Sequence, residues 1–146
     1  MNHIAILKKG PLDMILNGSK TIESRWSLKK IVPFKKVNVG DVVYMKKTGG
    51  LVVARFRVNK VEYFEYLSIK KILEIYTKYG SQIGMIEDSV KKLYNKKYCS
   101  LFWISELERV VPFDIYKDGY GIMSAWICVD DIEKIKKINT QQSSGF

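Results

Sequence analysis

The chain has 146 residues, 47% hydrophobic and 27% charged, with a formal net charge of +10, which fits one soluble domain able to bury a real core. No apolar run approaches the ~20 residues that span a bilayer, and Lys8-Lys9 after a short apolar start does not have the layout of a secretory leader, so no membrane and a cytoplasmic location are expected. Residues 1–60 hold thirteen Lys or Arg against three acids, whereas residues 61–146 hold twelve of each; codon bias accounts for many lysines but not for that imbalance, which suits an anionic partner.

In chain order, residues 3–7 read as a short strand. Gly10-Pro11 opens a helix, with proline suited to its first turn, and Gly18 suits its C-cap. Leu12, Ile15 and Leu16 share one face of that helix. Residues 21–26 return as a strand, and an irregular basic segment, 27–39, leads to a turn at Gly40-Asp41. Strands at 42–47 and 51–64 are joined through Thr48-Gly49-Gly50, a hairpin pattern. In the second of them Val52, Ala54, Phe56 and Val58 alternate with Arg55 and Arg57, so one face is core and the other basic.

Residues 68–79 form an amphipathic helix with Ile69, Ile72, Leu73 and Tyr76 on its apolar face and Gly80 beyond its end. A less regular helix covers 87–96. Strands at 98–115 and 122–129 flank a turn at Asp118-Gly119, and a short helix at 130–138 precedes a polar tail. One domain is expected over 1–138, with a frayed tail at 139–146. Helices inserted among mostly antiparallel strands argue α+β, a small open barrel closed by helices at its sides.

Most catalytic sets are absent. His3 is the one histidine, and at a strand near the chain start it suits structure better than a triad. Cys99 and Cys128 sit among apolar neighbours and read as reduced core thiols. No zinc spacing, P-loop or dinucleotide fingerprint is present, so no metal and no cofactor are expected. Glu106/Glu108 and Asp130/Asp131 read as solvated charge rather than paired acid and base.

What remains is Lys20, Glu23 and Arg25. On a strand, Thr21, Glu23 and Arg25 point one way and Ile22, Ser24 and Trp26 the other. Glu23 and Arg25 can then pair, with a forked hydrogen bond fixing the carboxylate, and Lys20 stands at the strand entrance as a mobile charge. Such a set can take phosphate or carbonyl oxygen on the lysine and an exocyclic amine on the carboxylate. The same spacing also serves a surface ion pair worth little. Trp26, Tyr44 and Tyr63 border the basic region; Tyr44 and Tyr63 read as core, while Trp26 serves equally as a cleft wall for base stacking.

The run Ile15-Leu16-Asn17-Gly18-Ser19-Lys20-Thr21-Ile22-Glu23-Ser24-Arg25 resembles the motif of the ASCH family (activating signal cointegrator homology), in the PUA-like superfamily: an apolar helix end, then G-x-K-x-x-E-x-R entering a strand. The likeness continues through Gly40-Asp41, the strand at 51–64 and Ser124-Ala125-Trp126-Ile127, about residues 3–129. It implies a small β-barrel with an RNA- or nucleotide-binding cleft lined by Lys20, Glu23 and Arg25.

Some small ASCH-like proteins are amidohydrolases that deacylate acetylcytidine, and others are ribonucleases. The amidohydrolases use the motif lysine, a threonine three residues later and a downstream glutamate. Here Lys20 matches, Glu23 occupies the threonine position, and Glu87 is the nearest downstream candidate.

The expected function is therefore binding of RNA, a nucleotide or a modified nucleoside at a basic cleft formed by Lys20, Glu23, Arg25, Trp26, Lys30, Arg55 and Arg57, with Lys29, Lys35 and Lys36 feeding one positive side. The alternatives are a small hydrolase using Lys20 and Glu23 on a modified nucleoside or RNA, and a protein-interaction module. A glutamate facing Lys20 favours the hydrolase, a continuous basic groove favours RNA, and a flat apolar patch favours a protein partner.

Overall fold

Strand alternation shapes the molecule. In the computed structural model, which describes residues 1–117 and 125–137, six strands form one mixed sheet curved into a half-barrel. The strands are β1 (Asn2–Leu7), β2 (Ile22–Ser27), β3 (Val42–Lys47), β4 (Val52–Phe64), β5 (Tyr98–Phe113) and β6 (Trp126–Val129), and the helices are α1 (Lys9–Leu16), α2 (Ile69–Ile83) and α3 (Glu87–Val90). The spatial order is β2-β5-β4-β3-β1-β6. Pairing is antiparallel except between β1 and β3, which run in parallel with Asn2 opposite Val42. The α+β open barrel expected from the sequence is the fold observed.

Both faces of the sheet are covered. Ala5 and Leu7 of β1 join Val43, Met45, Phe56 and Phe102 on the concave face, closed by Leu12 and Ile15 of α1. Ile4 turns the other way, to Tyr44, Ile127 and Ile132. A third cluster packs Ile22 and Leu101 under Ile72, Ile75, Tyr79 and Ile83 of α2. Burying these side chains is worth roughly 1.5–3 kcal/mol each before the cost of ordering the chain. Cys99 is buried, Cys128 is half-buried, and both are free thiols; burial pushes the Cys99 thiol up, out of reach of ordinary ionisation.

α2 departs from the sequence reading in length and in facing. It runs through Gly80 to Ile83, and Gly84 rather than Gly80 takes the left-handed conformation at its end, with φ 79°. Gly80 remains helical beneath the Tyr76 ring, where a Cβ would meet Tyr76 Cδ1 at 2.8 Å. The buried stripe is Ile72, Ile75, Tyr79 and Ile83, so Ile69 and Leu73 face outward instead of inward. At 87–96 the α-helix stops at Val90 and continues as a 3₁₀ turn, Lys91–Leu93.

The C-terminal helix expected at 130–138 is only a 3₁₀ turn, Ile132–Lys134. Its backbone is used elsewhere: Tyr116 donates to the Ile135 carbonyl at 2.7 Å and Lys137 to the Asp114 carbonyl at 2.8 Å, so this segment pairs with 114–116. The turn at Asp118-Gly119, the strand residues 122–124 and the tail 139–146 lie outside the described residues.

Candidate functional site

Gly18, at φ 85°, ends α1 and turns the chain toward β2. Lys20 N–H donates to the Met14 carbonyl at 3.0 Å and Thr21 N–H to the Gln82 carbonyl at 2.9 Å, which fastens this turn to the ends of both α1 and α2. The Lys20 ammonium then donates to the carbonyl of Ile83, the last residue of α2, at 2.6 Å. A cation at a helix C-terminus meets the negative end of the macrodipole and fills an orphan acceptor. Lys20 is only 6% exposed. It is a buried cap, not the mobile charge expected from the sequence.

Glu23 lies on the concave side of β2 and is 3% exposed. Its Oε1 accepts from the Ser24 backbone N–H at 2.8 Å and lies 3.5 Å from Lys20 Nζ. Its Oε2 lies 3.6 Å from an Arg25 guanidinium nitrogen, is buried, and accepts no hydrogen bond. The forked Arg25–Glu23 bond does not form. Instead the Arg25 guanidinium donates to the carbonyls of Ile6 and Ala125, each at 3.2 Å, and covers the Trp126 ring at 5.2 Å. β2 and β6 are the two edges of the sheet, so Arg25 closes the open barrel with a side chain where a backbone ladder is missing. Two cations against one carboxylate leave the set at +1.

Behind Arg25 the order continues inward. The Trp126 indole N–H can only donate, so at 3.2 Å it fixes His3 Nδ1 as acceptor and leaves the proton on Nε2, 2.8 Å from Asp41 Oδ2. Burial lowers the His3 pKa more than Asp41 raises it. Burial alone would raise Asp41, but the Asn38 N–H, the His3 bond and the terminal ammonium hold it below the usual carboxylate value. The placement of His3 is structural, as its position in the sequence suggested.

The structure brings together Lys20, Glu23 and Arg25 and separates the other expected site residues from them. Trp26 occupies the opposite face of β2, against the α2 cluster, with its indole N–H on Ser24 Oγ. Arg55 is bound to Glu108 and to the Tyr44 hydroxyl, and Arg57 to Glu106 at 2.9 Å and the Gly40 carbonyl at 2.7 Å, on the face of β4 away from the concave core. Lys30 stands on the 28–36 loop, 3.6 Å from Glu65. Tyr44 is buried, and the Tyr63 hydroxyl is fixed on the Val37 backbone.

Trp126 and the carbonyls of Ile6, Ile83 and Ala125 escaped the reading of the motif. Only Trp126 had a signal, its place in the later stretch of resemblance, since a carbonyl exists at every residue. Among the described residues no ion pair joins Lys20 to any acid but Glu23, and Glu87 is exposed on α3. Among them, too, no group of His, Cys, Asp and Glu is arranged to hold a metal, and no helix is long and apolar enough to cross a membrane.

No family model and no curated protein matches the sequence. Solved structures do match the fold. The crystal structure of ASCH from Zymomonas mobilis superposes with a TM-score of 0.69 at 12% identity, over 91% of this chain and 90% of that one. A mutant of the same protein gives 0.68 at 13% identity over 99% and 94%. The curved sheet and the inserted helices match the fold of an α+β, PUA-like open barrel. Within that class, the chain has an ASCH-like fold.

Proposed function

We propose that the protein binds RNA, or a nucleotide or modified nucleoside, with one base held at Glu23 between β2 and β6. The observation that carries this reading is Glu23 Oε2: a buried carboxylate oxygen, 3.6 Å from the Arg25 guanidinium, that accepts no hydrogen bond. Buried acceptors are costly when unpaired, and such a group fits an N–H donor from a ligand. An exocyclic amine or a ring imide of a base supplies that donor. The set's residual +1 charge then suits the phosphate or carbonyl oxygen of the same ligand. The ASCH-like fold supports the reading, since the resemblance implies a ligand cleft beside this motif.

A thermal-shift and calorimetric panel of the four nucleosides, N-acetylated cytidine and short RNAs tests it. Glu23→Gln keeps the shape but replaces an acceptor oxygen by an amide, and should weaken the best ligand by about tenfold or more. Parent-like binding of every ligand by folded Glu23→Gln would remove Glu23 from the site.

A further inference from the structure

A second surface lies at the far end of β2. In the loop after β2, Leu28, Ile31 and Val32 are exposed among the exposed lysines Lys29, Lys30, Lys35 and Lys36. Phe34 is buried and anchors this loop, its ring 5.1 Å from that of Tyr98 and 5.3 Å from that of Tyr63. Tyr66 stands beside the loop and is 72% exposed. Its ring lies 5.8 Å from Tyr98, and the Lys30 ammonium is 5.9 Å from both rings. Tyr66 and Lys35 both hold positive φ, 51° and 56°, a region that side-chain-bearing residues avoid. Lys30 and Lys35 share one acid, Glu65; Lys29 and Lys36 make no ion pair among the described residues.

The exposed Tyr66 ring beside this lysine-rich loop suits a single-stranded nucleic acid: a base stacks on the ring and phosphates lie on the lysines. The ladder ties this surface to the cleft. Tyr98 is opposite Ser27 and Phe102 is opposite Glu23 with no register shift between them. All four lie in the same alternation, so the platform and Glu23 share one face of the sheet about 13 Å apart. A strand of a few nucleotides reaches from one to the other.

We infer that Tyr66 and Tyr98, with Lys29, Lys30, Lys35 and Lys36, form a second contact for a single-stranded RNA of which one base occupies the Glu23 cleft. The inference rests on the nucleic-acid reading of that cleft. Tyr66 carries the stacked base, and Lys29 and Lys36 carry phosphates.

Fluorescence anisotropy with a single-stranded RNA of about a dozen nucleotides, across a salt series, separates the two contacts. Tyr66→Ala should weaken that RNA by about fivefold or more and leave the calorimetric affinity for a single nucleoside unchanged, whereas Tyr66→Phe should bind as the parent. Lys29→Gln with Lys36→Gln should flatten the salt dependence by about two phosphate contacts. Loss of RNA in Glu23→Gln with parent-like binding in Tyr66→Ala overturns the platform and spares the cleft. No RNA binding by the parent overturns both. Anionic vesicles of phosphatidylserine and phosphatidylcholine form the remaining arm: binding lost in Leu28→Ser with Ile31→Ser, with RNA affinity untouched by Tyr66→Ala, would assign the surface to lipid instead.

Discussion

Lys20 is held by the Ile83 carbonyl and faces the Glu23 carboxylate, and this sets what its removal does. Lys20→Ala leaves the Ile83 acceptor unpaired and takes one of two cations from buried Glu23. The expected cost is about 1–3 kcal/mol of stability, since a buried group that loses its partner keeps its desolvation penalty. Denaturant melts should show a lower midpoint at unchanged slope. A midpoint equal to the parent's would mean that the ammonium contributes nothing to the fold. His3 makes a pH prediction. Its pKa is lowered from 6.5, so the unfolded chain binds the extra proton first. Its contribution to stability is complete above about 6.5 and is lost as pH falls through that value toward the lower folded pKa. Protonation would also put a second N–H against the Trp126 indole. Stability should therefore fall as pH drops below about 6.5, and His3→Gln should remove that slope; an unchanged slope in the variant would place the titration elsewhere.

At the scale of elements, the end of α2 matters most because it delivers the Ile83 carbonyl to Lys20. Gly84 makes that end possible: its φ of 79° suits glycine, and a Cβ there would meet Met14 Cε at 2.6 Å and Lys20 Cβ at 3.8 Å. Gly84→Ala is expected to cost about 1–2 kcal/mol through the left-handed backbone alone. A melting temperature lower by several degrees checks it, and an unchanged one would show that the α2–α1 contact yields easily. From sequence, α2 is predicted to stop at Gly80, because glycine before a polar stretch is a normal helix stop. Tertiary packing reversed this. The Tyr76 ring covers Gly80, and burying Ile83 needs one more turn. The same packing rotated the apolar stripe and left Ile69 and Leu73 outside.

Across the whole molecule, folding redistributes a charge imbalance that looked one-sided along the chain. Acids from the neutral second part come back onto the bases of the first: Glu108 to Arg55, Glu106 to Arg57, and Glu65 to Lys30 and Lys35. The two arginines expected to form a basic face of β4 are thereby largely neutralised, because β5 pairs with β4 and brings its glutamates alongside. Of the bases in residues 1–60, those in no ion pair among the described residues are Lys8, Lys9, Lys29, Lys36 and Lys47. The strands, the α1 stop at Gly18, the hairpin and the shared facing of Glu23 and Arg25 are legible along the chain, since each follows from short-range sterics and a period of two. What those side chains touch is set by contacts distant in sequence. Lys20 meets Ile83, Arg25 meets Ile6 and Ala125, and Trp126 meets His3 across chain separations of 63, 19, 100 and 123 residues. Partners of that kind are backbone oxygens and rings brought in by sheet closure, and no local pattern encodes which of them will arrive.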